Sequence, residues 1–146
     1  MVQSESIKEL SGKLLKIQAE IPALAKDKIA KTGKFSYKYL NIDTILDVIK
    51  PVLQKYNVLV FQYVETEEDR LKLHTEVVDT DTEQFINVSV EIVPQTNDRT
   101  SPMQALGSAI TYAKRYQLSA LLLINTDEDT DDIKISKINN NDEVIF

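Results

Sequence analysis

Two stretches of the chain gather residue types that suit a phosphodiester strand. The first is Lys31 to Leu40, KTGKFSYKYL, in which Lys31, Lys34 and Lys38 interleave with Phe35, Tyr37 and Tyr39 around Gly33. Cations can follow a backbone of phosphates while rings stack on bases, each stack being worth about 1–3 kcal/mol. An ordinary loop whose rings turn back into the core would have the same composition. The second stretch is Pro102 to Leu122. At about 100° per residue, Gln104, Gly107, Ser108, Thr111, Lys114 and Arg115 share one side of a helix there, and Arg99 precedes it. Hydroxyls, amides, Lys and Arg are the usual donors to phosphate oxygens. Gly107 in mid-helix costs about 1 kcal/mol relative to Ala, which fits a close approach to the helix at that point. The plain alternative is a half-buried helix whose small residues pack on a neighbour.

These residues need elements to hold them. Ser101 can cap the helix, and Pro102 suits its first turn, where a missing N–H costs nothing. The opposite side of the wheel carries Tyr112, Ala105, Tyr116, Ala109, Ala113, Leu106, Ile110 and Met103, an apolar arc for burial. Upstream, residues 4–21 read as an amphipathic helix capped by Ser4 or Ser6, with Ile7, Leu10, Leu14, Ile17 and Ile21 at helical spacing. Its long stripe suits packing or a contact between subunits. Pro22 interrupts it, and Ala23 to Ala30 reads as a short second helix. A further helix is expected from Ile42 to Tyr56, capped by Asn41 or Asp43 and bent or divided at Pro51. Alternation then predicts three strands, Val58 to Val64, Leu71 to Val78 and Phe85 to Val93. The acidic runs Glu65 to Asp69 and Asp79 to Glu83 are expected as solvated turns between them. The expected architecture is α+β: N-terminal helices, a three-stranded antiparallel meander, and a long helix across one face. Two free strand edges would remain to be covered or paired, and pairing with identical subunits would build a ring or a helical filament.

The totals set limits. At 146 residues one domain is expected, 1–126, followed by an acidic linker and tail at 127–146. There is no Cys, so neither disulfides nor thiolate metal sites contribute, and the single His74 excludes a multi-histidine centre within one subunit. No run approaches the roughly 18 apolar residues of a membrane span, and a soluble protein of the cytoplasm is expected, with no membrane partner. Net charge is −6, unevenly spread. Residues 1–50 hold nine Lys against six acids, whereas residues 127–146 hold two Lys against seven. A modest basic groove fits this distribution; a broad basic surface does not.

The run Gln104 to Leu122, QALGSAITYAKRYQLSALL, followed by the acids Asp127, Glu128, Asp129, Asp131 and Asp132, resembles the signature of the ERF (essential recombination function) family. Leu123 and Ile133 stand where that family commonly has glycine. Tyr37-x-Tyr39 before a helix running into a proline resembles the same pattern. The resemblance implies a phage single-strand annealing protein with a β-β-β-α core that assembles into rings. It implies single-stranded DNA as ligand, held by Lys34, Tyr37, Lys38, Tyr39, Arg99, Gln104, Ser108, Thr111, Lys114 and Arg115. Strand annealing in phage recombination would then proceed without ATP, and no phosphate-cradling glycine loop exists in the sequence.

Two other readings remain open. The acids of 127–132 could hold Mg²⁺ for a nuclease, but such sites draw carboxylates from several rigid elements, whereas these are consecutive; no site in the sequence requires Mg²⁺. A structural, non-DNA-binding oligomer of phage assembly would explain subunit contacts without the Lys/Tyr stretch. The end of the chain, NNNDEVIF, resembles the tails by which bacterial single-strand-binding proteins recruit repair enzymes through a terminal Phe. Host replication or repair proteins are therefore expected partners.

Overall fold

A computed structural model describes residues 1–25, 28–32 and 35–125, with 28–32 and 35–39 given as strand backbone. The acidic run 127–132, the C-terminal tail and Lys34 lie outside the described residues. The elements run β1 (Val2–Gln3), α1 (Lys8–Glu20), β2 (Lys28–Thr32), β3 (Phe35–Tyr39), α2 (Ile42–Lys55), β4 (Val58–Glu67), β5 (Arg70–Asp79), β6 (Phe85–Glu91) and α3 (Pro102–Leu121). The fold is α+β, with β4, β5 and β6 forming the expected antiparallel meander.

The sheet differs from expectation in its count. β1 pairs with β6 through Val2↔Asn87 and Gln3↔Ile86, so four strands lie in the order β1-β6-β5-β4. Two residues without alternation carry no strand signal, and only the free edge of β6 makes them one. A second departure lies at 28–39. Instead of a short helix and a loop, β2 and β3 form an antiparallel hairpin, with Lys28 opposite Tyr39 and Thr32 opposite Phe35. The Lys/aromatic composition of this segment suits a strand as well as a loop.

The meander follows its side-chain period. β4 pairs with β5 from Val58↔Asp79 to Glu67↔Arg70, and β5 with β6 from Lys72↔Glu91 to Val78↔Phe85. One face carries Val58, Val60, Leu73, Thr75, Val77, Ile86 and Ile92 into the interior, all buried or half-buried. α2 packs on β4, α3 on β5 and α2, and α1 on α2 and β5. The main core is Leu10 and Ile17 of α1, Ile45, Ile49 and Leu53 of α2, Val58 and Val77 of the sheet, and Leu118 and Leu122 at the end of α3. Ala113, Leu73 and Ile92 form a smaller one beneath the middle of α3.

The helix starts show how local signals are met or replaced. Asn41 caps α2 by accepting from the Asp43 N–H, as expected. Pro51 leaves α2 undivided; it is exposed, so the helix loses one backbone bond and keeps its inward stripe. α1 begins at Lys8 rather than at residue 4, and neither Ser4 nor Ser6 is its N-cap. Ser4 is spent on β6, accepting from the Phe85 N–H at 3.0 Å. The free amides of α1 are met from far away: Gln84 Oε1 accepts from Glu9 and Leu10 at 3.0 and 3.1 Å.

The second acidic run is an exposed turn from Thr80 to Glu83, as expected, but its first residue is not part of the solvated rim. Asp79 is fully buried. Lys13 of α1 donates to it at 2.6 Å, and the Asp81 N–H and Thr82 hydroxyl each donate at 2.9 Å. Burial alone would raise its pKa, but these donors together hold it below the ordinary aspartate range. The first run is mostly strand, with its turn confined to Glu68 and Asp69, both at positive φ.

Candidate functional site

α3 is built as its sequence implies. Ser101 accepts from the Gln104 N–H while Gln104 Oε1 accepts from the Ser101 N–H, a reciprocal capping box, and Pro102 occupies the first turn. Its far end closes on Leu123, whose φ of +50° lets the Ile124 N–H reach the Ser119 carbonyl at 2.9 Å. A polar relay beneath the helix fixes its seat on the sheet. Gln62 donates to the fully buried Thr75 hydroxyl at 2.9 Å, and that hydroxyl donates to Gln117 of α3.

The apolar arc of α3 is buried at Ala105 and Ala113 and half-buried at Leu106, Ala109 and Ile110, but its edges are exposed. Met103 is exposed, and Tyr112 and Tyr116 are 56% and 54% exposed. These two tyrosines were expected in the core. They instead line a groove of about 910 Å³ between α3 and the end of β6, together with Val90, Ile92, Ser108, Ala109 and Ala120. The ring centroids lie 4.2 Å apart at 37°, and the Arg115 guanidinium sits 5.6 and 5.5 Å from them. At such distances a guanidinium is held by the ring quadrupole. The groove wall therefore offers two rings beside small alanines, with a cation at its border, a surface able to stack planar groups next to a positive charge.

The sequence-predicted residues divide around this groove. Ser108 lines it, and Arg115 borders it through its tyrosines. Thr111 lies on the exposed side, its hydroxyl donating to the Gly107 carbonyl at 3.1 Å. Gln104 is exposed, but its carbonyl oxygen is committed to the cap. Arg99 is exposed in the loop before α3. Lys114 is not with Arg115: it borders a separate recess with Leu46, Lys50, Phe61 and Gln62, on the side facing α2 and β4. Consecutive helical residues point about 100° apart, so adjacency in sequence does not make a pair. A Cβ on Gly107 would meet nothing within 4 Å, so no part of the described chain makes the close approach expected there. Tyr37, Lys38 and Tyr39 stand on β3, opposite Ala30, Ile29 and Lys28. Sequence reasoning missed Tyr112 and Tyr116 as site residues. Their signal was present in the i, i+4 spacing with Arg115 between them, at the margin rather than the centre of the apolar arc.

No helix among the described residues is long and apolar enough to cross a membrane. In comparison with known proteins, the family model of the ERF superfamily matches residues 10–145, nearly the whole chain. No curated protein and no solved structure matches it significantly.

Proposed function

This chain belongs to the ERF superfamily, the phage recombination and single-strand annealing proteins, and from that membership we propose that it binds single-stranded DNA and anneals complementary strands without ATP. The observation that supports this reading is the Tyr112–Tyr116 pair beneath Arg115 in an open groove. Bases of any sequence present a face to an aromatic ring, so such a wall holds a strand without reading it. To the same strand the reading assigns Tyr37, Lys38 and Tyr39 of the hairpin, with Arg99, Ser108 and Thr111.

The mechanism is geometric and electrostatic. A strand held by backbone and partial stacking loses its own secondary structure, so an incoming complement meets pre-extended bases. The new duplex supplies the free energy, and neither nucleotide hydrolysis nor a metal-bound intermediate is needed. Continuity of the strand requires several subunits in a row. β4 is a ten-residue strand at the sheet edge, and β1 covers only two residues of β6 at the other, which favours head-to-tail assembly in a ring or filament. The protein would act in the host cytoplasm, with its C-terminal tail as the element that recruits host replication or repair proteins.

The test is an annealing assay on complementary oligonucleotides without ATP, run beside a gel shift on single-stranded and duplex DNA and light scattering of the protein. Accelerated annealing, a preference for the single strand and a mass of many subunits are expected. A monomer that leaves the spontaneous annealing rate unchanged would overturn the reading.

A further inference from the structure

On the sheet face away from the helices, the chain's single histidine meets two carboxylates. His74 lies on β5, opposite Tyr63 of β4, and Glu65 and Glu67 follow Tyr63 on the same face of β4. His74 is 8% exposed, its ring covered by Tyr63 at a centroid distance of 4.9 Å and an angle of 6°. Its Nε2 is buried and has no hydrogen-bond partner among the described residues, yet it lies 3.0 Å from Glu67 Oε1 and 3.6 Å from Glu65 Oε2.

The surroundings determine which ring nitrogen carries the proton. Asn87 directs its amide nitrogen to Glu76 Oε2 at 2.7 Å and to the Tyr63 hydroxyl at 3.0 Å. Its carbonyl oxygen is therefore the atom 2.9 Å from His74 Nδ1, which must donate to it. In the neutral ring, Nε2 then presents a lone pair toward two carboxylate oxygens. Three acceptors facing one point repel each other unless the ring takes a second proton at Nε2 or a metal ion lies between them. All three donor atoms lie within 4.8 Å of one another. Tetrahedral Zn²⁺ with N and O donors has donor–donor separations of about 3.4 Å, close to the two distances from Nε2.

We propose that Glu65, Glu67 and His74 form a site for one divalent transition cation of the Zn²⁺ class. The buried imidazole favours such an ion over Mg²⁺ or Ca²⁺, which prefer all-oxygen shells. Asn87 fixes the ring tautomer from behind, as outer partners of ligating histidines do. Lys72, 2.5 Å from Glu67 Oε2, holds that oxygen and leaves Oε1 toward the ring. Three protein donors leave a fourth position for water or an external anion. The ion would pin the ends of β4 and β5 together next to their tight turn, and its role is independent of the annealing reading.

The experiment is calorimetric titration of the untagged full chain with Zn²⁺, accompanied by thermal melts and ¹⁵N NMR of the imidazole. One ion per chain, a higher melting temperature and a coordination shift at Nε2 are expected. Because Glu65 is exposed, Glu65→Gln should fold normally and lose at least tenfold in affinity, and Asn87→Ala should lose about 10–100-fold. Replacing Asp127 and Glu128 by Asn and Gln should change nothing at this site. Equal affinity in Glu65→Gln, or an imidazole that remains protonated and unshifted with Zn²⁺ present, would overturn the proposal.

Discussion

The rings of Tyr112 and Tyr116, one turn apart on α3, stand 4.2 Å apart and inclined by 37°, with more than half of each residue open to solvent. Two neighbouring rings are thus displayed along a groove rather than packed into the core. Tyr112→Ala or Tyr116→Ala should weaken binding of a single-stranded oligonucleotide by about 1–3 kcal/mol if the ring carries a base, and Tyr→Phe should be nearly silent. Fluorescence anisotropy measures the binding and a thermal melt separates it from folding. A large fall in melting temperature with unchanged affinity would return both rings to a packing role.

Arg115 and Lys114 should part company. Arg115→Ala should lower the salt dependence of single-strand binding by about 0.7 in the log–log slope, the amount for one lost phosphate contact. Lys114 faces the recess between α2 and β4, so Lys114→Ala should leave the slope nearly unchanged unless the strand also crosses that side. Affinities at four or five salt concentrations decide this.

Asp79 should be a stability residue with a definite pH signature. Asp79→Ala removes the acceptor of Lys13, Thr82 and the Asp81 N–H from a buried position, and roughly 3 kcal/mol should be lost. Since the folded pKa lies below the unfolded value of about 3.9, the stabilisation is complete above that pH and fades as pH falls through the folded value. Denaturant melts of wild type and Asp79→Asn should therefore differ at pH 7 and converge below about pH 4. A difference that persisted into strong acid would mean that the deficit comes from the Asn amide facing the donors around position 79 and not from loss of charge.

Leu123 holds a left-handed φ of +50° just past α3 and is 65% exposed. A side chain in that region costs roughly 1–2 kcal/mol, part of which glycine returns through its freer unfolded state. Leu123→Gly should raise stability by about 1 kcal/mol, read as a higher denaturant midpoint at unchanged m-value. A lower midpoint would show that the Leu123 side chain makes a contact worth more than the strain.

Much of this arrangement was legible in the sequence because it rests on periodicity. The alternation of Ile86, Val88, Val90 and Ile92 gave β6 its inner face, and Ser101 with Pro102 gave α3 its start. Where the reading departed, long-range partners decided. Val2 and Gln3 become a strand because β6 has an edge to fill, and Asp79 is buried because Lys13, 66 residues earlier, reaches it. The candidate groove was half visible. The wheel separates Ser108 and Arg115 from the buried centre of the helix, but it cannot say that the apolar arc is wider than the surface available to cover it, and that surplus is what leaves Tyr112 and Tyr116 in the groove.

The cap that Gln84 places on α1 has a consequence for how this sequence can drift. Ile7 stands at the N-cap with no side-chain acceptor of its own, so the helix start depends on a residue 75 positions away. Position 84 cannot lose its acceptor alone without exposing unmet amides. A Ser, Thr or Asp at position 7 would free position 84 to vary. Related chains should therefore keep a polar acceptor at one of the two positions and accept almost any residue at the other.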